Sequence, residues 1–241
     1  MPGVLGETFR LLAGHFHLLT LLVLTVWLPG HVGLNYLEFF GPQADPSFQS
    51  LRLAFLLQAC FDPLVVAAVI SAMARIKLGL PAPYGEILLE GLRAWPRLVL
   101  VRFVIYTALA LPIGFALALG AGPASGRALG GVVGIVFGVI ATVLLVRVAV
   151  VDSVVVLEQA NVRTAWSRAA ALTLGRRRAI FGTLVLIFAV LITLVITLGL
   201  ALRAAPDLNH FVVRVLVDCA LSVGQSAFPI ALFLFYWRAR G

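Results

Sequence analysis

Along this chain, apolar runs alternate with shorter segments in which charge returns at helical spacing. Six of the runs approach the roughly 20 residues a helix needs to cross a bilayer core. They are Leu18 to Leu37, Leu53 to Ala74, Leu98 to Leu119, Leu129 to Val151, Ala179 to Leu202 and Phe211 to Tyr236. None shows the period of two that a barrel strand would carry. The pattern predicts an all-α polytopic membrane protein with six transmembrane helices. Pro29-Gly30 interrupts the first run, Asp62-Pro63 the second and Pro229 the last. A proline inside a helix removes a hydrogen bond and crowds the carbonyl one turn earlier, so kinks are expected there. The first run follows Glu7 and Arg10 much as in a signal peptide. No A-x-A-like cleavage site follows it, so it is expected to stay as a helix of the mature protein.

The segments between runs are expected to be helical too. In Pro83 to Arg97, the charges Glu86, Glu90, Arg93 and Arg97 form one stripe, and Leu88, Leu92 and Trp95 another. Near the start, Leu5, Phe9, Leu12 and Phe16 face away from Glu7, Arg10 and His17. A third segment opens at Asn161, a good N-cap residue, and closes at Gly175, a good C-terminal stop. These read as three amphipathic helices lying at the membrane interface. Gly6-Glu7 and Gly85-Glu86 open the first two, and the third starts at a similar interval. The layout suggests a single integral membrane domain, 1–241, built from three parallel units: residues 1–80, 81–158 and 159–241.

Composition agrees with the pattern. Of 241 residues, 62% are hydrophobic and only 12% charged, and the mean hydropathy is +1.09. A water-soluble fold of this size could not hide so much apolar surface, whereas lipid solvates it. The net charge of +8 comes almost wholly from arginine, and the basic residues sit beside apolar runs. That placement points to a membrane surface rather than nucleic acid. Twelve Lys and Arg gather at one set of helix ends and four (Arg52, Arg127, Arg203 and Arg214) at the other. The richer side is expected to be cytoplasmic, with both termini on it, and Trp95, Trp166, Trp237, Tyr84 and Tyr236 gather there as interfacial aromatics do. Cys60 and Cys219 fall in apolar runs and read as small buried hydrophobes.

Small residues are expected to let helices approach. Gly130, Gly134 and Gly138 form a double G-x-x-x-G, and Ala110, Gly114, Ala118 and Gly122 line the preceding run. The turn Ala121 to Gly126 should join these two helices as a tight hairpin, with packing the plainer reading and a pore lining the other.

Ionisable groups at membrane depth are costly and mark candidate sites. Asp62 lies near the midpoint of its run, beside Pro63. It reads either as a cation or proton site or as the partner of an arginine on another helix. Arg102 can snorkel to the interface. Arg147 lies deeper and is the expected partner of Asp62 or Asp152. Asp218 is expected to face a polar crevice or pair with Arg214 one turn away. Glu158 is expected to be solvated. No metal-ligand spacing, nucleophile motif, phosphate loop or dinucleotide fingerprint is present. The expectation is a non-enzymatic protein without metal or cofactor.

The stretch from Glu158 to Gly182 reads EQANVRTAWSRAAALTLGRRRAIFG. It resembles the segment after the fourth helix in the membrane domain attached to some bacterial glycerophosphoryl diester phosphodiesterases, and is similar to related stand-alone six-helix membrane proteins of unknown function. The likeness rests on the terminal Glu, the Ala-rich segment, and Leu172-Thr173 with Gly175-Arg176-Arg177 leading to Phe181-Gly182. Val151-Asp152 and Ala169-Ala170 stand where that family carries a Pro and a Ser-Trp pair. The resemblance implies a bacterial inner (plasma) membrane location. In the phosphodiesterases catalysis belongs to a separate barrel domain, so no catalytic residue carries over. The favoured expectation is a protein that binds or organises anionic membrane lipids through Arg93, Arg97, Arg168, Arg176, Arg177 and Arg178. The alternative is a small transporter or channel using Asp62 and Arg147. A protein partner, if any, is not legible in the sequence.

Overall fold

The computed structural model describes residues 3–40, 46–120, 124–205, 207 and 210–240, and among these the side chains of all but 46–52, 109, 113, 115–120 and 124–129. Ten helices follow in order: α1 (Gly3–Gly14), α2 (Phe16–Phe40), α3 (Pro46–Lys77), α4 (Tyr84–Gly120), α5 (Ala124–Arg147), α6 (Val151–Glu158), α7 (Val162–Leu172), α8 (Arg177–Ala204), α9 (Phe211–Gln225) and α10 (Ala227–Arg240). No strand occurs among the described residues. Six stretches are long and apolar enough to cross a membrane: Phe16–Phe40, Leu53–Lys77, Tyr84–Pro112, Gly130–Glu158, Arg177–Ala204 and Phe211–Arg240. The chain is a polytopic α-helical membrane protein.

Three boundaries differ from the sequence pattern. The segment from Pro83 to Arg97 is not a separate helix, because α4 runs unbroken through Pro96 and Pro112. The fourth span breaks at Val148–Val150 into α5 and α6. The sixth span breaks at Ser226, between α9 and α10. Pro229 explains that position, since it has no N–H for the carbonyl of Gln225 and its ring crowds that carbonyl. Pro29 and Pro63, by contrast, sit within continuous helices. The start of α7 falls where its cap residue places it, while the helix ends at Leu172, short of Gly175. The Asn161 side chain accepts a 3.0 Å hydrogen bond from the Thr164 N–H, and Gly175 takes φ +76°, a left-handed value that favours glycine.

The tightest core lies toward the arginine-rich end. There the Leu64–Ala74 half of α3 is buried throughout, and α10 and α6 in part, with Phe233, Tyr236, Ile70 and Met73 among the largest buried side chains. In contrast, α8 buries only Ile180, Ile187 and Leu202 along its length, and Ile135, Leu186 and Phe188 lie exposed on α5 and α8. Such a surface is unfavourable in water and natural in lipid. Cys219 is buried, but Cys60 is exposed on the outer, lipid-suited face of α3.

Close helix approach occurs where α3 crosses α4. A Cβ on Gly91 would lie 3.1 Å from the Ala68 backbone nitrogen. At two positions of the expected small-residue seam the helices do not come close, because a Cβ on Gly114 or Gly138 would find nothing within 4 Å. Gly122 and most of the Ala121 to Gly126 turn lie outside the described residues or side chains, as do the side chains of Ala118, Arg52 and Arg127. Elsewhere α1 packs on α10, α2 on α9, and α5 chiefly on α4 and α8.

Candidate functional site

Three charged side chains from three helices meet within the bundle. Arg102 on α4 binds Asp152 in the first turn of α6 through two bonds, Nη2 to Oδ2 at 2.6 Å and Nε to Oδ1 at 3.3 Å. Its Nη1 donates to Oδ2 of Asp62 on α3. Arg102 and Asp152 have side chains only 13% and 14% exposed, and Asp62 34%. The guanidinium fork suits this task, since its planar donors can serve two carboxylates at once. The break at Val148–Val150 places Asp152 at the positive end of a new helix, where a carboxylate is favoured. The joint between α5 and α6 thus helps create the site, and no single residue in the apolar run announces it.

Arg147 is not the partner of either aspartate. It is exposed in the last turn of α5, which packs on α4 and α8, and it has no carboxylate partner among the described residues. Arg102 does not simply snorkel outward; it lies on the side of α4 that meets α3 and α6 and bridges both carboxylates.

Two hollows border this triad. One, of about 820 Å³, lies between α4, α5, α8 and α10 and is walled by apolar side chains, with Arg102 and Asp152 as its charged element. The other, of about 400 Å³, is more polar and is lined by Gln58, Asp62, Arg102, Asp152 and Gln225 among others. Asp62 therefore both pairs with an arginine of another helix and faces a cavity.

A second polar seam joins α2 to α9. His31 Nε2 and Ser222 Oγ lie 2.8 Å apart, Asn35 Nδ2 donates to Asp218 Oδ2 at 2.8 Å, and Arg214 Nη2 lies 3.2 Å from Glu38. Asp218 is thus bound to Asn35 rather than to Arg214, which reaches across to α2 instead. Asn35, buried, was not singled out in the sequence. A signal was present: His31, Asn35 and Glu38 recur at helical spacing, as do Arg214, Asp218 and Ser222, and the two rows match when the helices run antiparallel.

At the arginine-rich end the acidic residues are engaged. Glu7 binds Lys77 and, at 2.6 Å, Arg238. Burial by itself would raise the Glu7 carboxyl, but these two cations outweigh it and hold it below the ordinary glutamate value. Arg75 lies 2.7 Å from both Glu86 and Glu90. Glu158, read from the sequence as solvated, lies 3.3 Å from Arg168 and accepts a 3.0 Å bond from the Tyr236 hydroxyl. Of the six arginines named as lipid contacts, Arg168 alone has a carboxylate partner. Arg93, Arg97, Arg176, Arg177 and Arg178 have none among the described residues. Thr173 Oγ1 donates to the Arg147 carbonyl at 2.7 Å, which ties the end of α5 to the turn bearing Arg176, Arg177 and Arg178. Compared with protein-family models, curated proteins and solved structures, the chain matches none.

Proposed function

We propose that this chain is a non-enzymatic protein of a bacterial inner membrane, with cytoplasmic termini, that binds and organises anionic lipids through its basic face. The observation that carries this reading is the sorting of charge. Carboxylates toward the arginine-rich end are bound to specific cations, while Arg93, Arg97, Arg176, Arg177 and Arg178 are left without carboxylate partners. Each such arginine near an anionic surface gains about 1 kcal/mol. The test is reconstitution into nanodiscs of mixed phosphatidylglycerol and phosphatidylcholine, followed by measurement of the lipid held by the protein. Wild type is expected to enrich phosphatidylglycerol. Replacing the five arginines by Gln should abolish the enrichment in molecules whose orientation, checked by cysteine labelling, is unchanged. Equal enrichment in both proteins would show that these arginines serve topology alone.

A second reading, a small transporter or channel, draws support from the Asp62–Arg102–Asp152 triad beside the polar cavity. Arg102 replaces Arg147 in it. One arginine facing two carboxylates leaves a negative charge unless a proton or cation joins them. Proteoliposomes loaded with a pH-sensitive dye would reveal a proton path that Asp62→Asn closes. Dye signals identical to those of empty liposomes would discard proton passage.

A further inference from the structure

The apolar hollow between α5 and α8 is walled on one side by α8, the helix that opens with Arg177 and Arg178. On α8, Phe181, Leu184, Val185 and Phe188 line it, and they occupy one helical face. Arg177 stands on that same face, one turn before Phe181. The Arg177 Nε is buried and has no hydrogen-bond partner among the described residues. A buried charged donor without an acceptor is unfavourable, so an anionic oxygen at that place would satisfy it. Arg178 lies beside it, and the Thr173 bond holds the end of α5 close to this turn. The α8 face that lines the slot of about 820 Å³ thus continues, one turn toward the start of the helix, to Arg177 and its unpartnered Nε.

Resting on the lipid-binding reading above, we propose that this slot is a discrete site for one anionic phospholipid. The phosphate sits against Arg177 and Arg178, and an acyl chain lies along Phe181, Val185 and Phe188. Charge complementarity selects this occupant over a neutral lipid. The apolar walls select it over free phosphate, which would leave the slot unfilled.

Native mass spectrometry of the full chain in mild detergent, with phosphatidylglycerol as the probe, tests the proposal. Wild type should retain one phosphatidylglycerol per chain more strongly than it retains phosphatidylcholine. Arg177→Gln should lower occupancy about fivefold at sub-saturating lipid. Val185→Trp, which narrows the slot and leaves the arginines intact, should lower it comparably, and Arg10→Gln should leave it unchanged. Phosphatidylglycerol with a photoactivatable acyl chain should label the Phe181–Phe188 face in the unmodified protein, which removes any dependence on how the variants fold. If Arg10→Gln and Arg177→Gln reduce binding equally and Val185→Trp has no effect, the slot is overturned while the basic-face reading stands. If wild type does not prefer phosphatidylglycerol at all, both are overturned. Photolabelling confined to other helices overturns the slot alone.

Discussion

Arg102 shows how one side chain can hold the middle of a membrane bundle. Removing one partner of a buried ion pair leaves an uncompensated charge, a loss of about 3–5 kcal/mol. Arg102→Gln strands two carboxylates and is expected to lower the thermal unfolding midpoint in detergent more than either aspartate substitution. Between those two, Asp152→Asn should be worse than Asp62→Asn, because Asp152 is bonded twice and is the less exposed. The reverse order would mean that Asp62 is the anchoring carboxylate. Asp62 could be singled out in the sequence because a lone charge in an apolar run is conspicuous. Its partner was harder to identify, since Arg102 and Arg147 both sit at plausible depth and only the packing of α4 against α3 and α6 separates them. Asn35 escaped notice for a related reason: an uncharged amide barely disturbs an apolar run until its acceptor on α9 is known.

Among the elements, caps and crossings were unequally legible. The start of α7 was readable because Asn161 acts locally, through its own side chain. Asn161→Ala is expected to cost about 1 kcal/mol, read as faster amide exchange in α7. Breaks within the fourth and sixth spans were harder to place. An apolar run looks the same whether its helix is whole or jointed, and the Pro229 signal acts one turn upstream, on Gln225. Glycine spacing alone does not single out Gly91, where a close approach occurs. A side chain at Gly91 meets the Ala68 backbone, so Gly91→Leu should greatly reduce the yield of folded protein. Gly138→Leu, entering open space, should be tolerated. Equal yields of the two variants would remove the α3–α4 crossing as a point of close approach.

Across the whole molecule, the first helices close against the last: α1 packs on α10 and α2 on α9. Glu7 fastens the first of these contacts through Arg238 and ties it to α3 through Lys77. Its carboxyl is held below the ordinary value, so this contribution is full above the ordinary glutamate range and is lost as pH falls from there through the lowered value. Proteolysis within α1 should therefore accelerate in acid for wild type. In Glu7→Gln it should already be fast and lack that pH step, and a wild-type step preserved in the variant would assign the effect to another group. The same closure has a consequence for biosynthesis. Helices enter the bilayer in the order the ribosome makes them, yet Ser222 and Asp218, the partners of His31 and Asn35 on α2, arrive only with α9. Six helices are made between α2 and α9, and until α9 emerges Asn35 has the His31 carbonyl of its own helix while His31 waits in lipid or against a temporary neighbour.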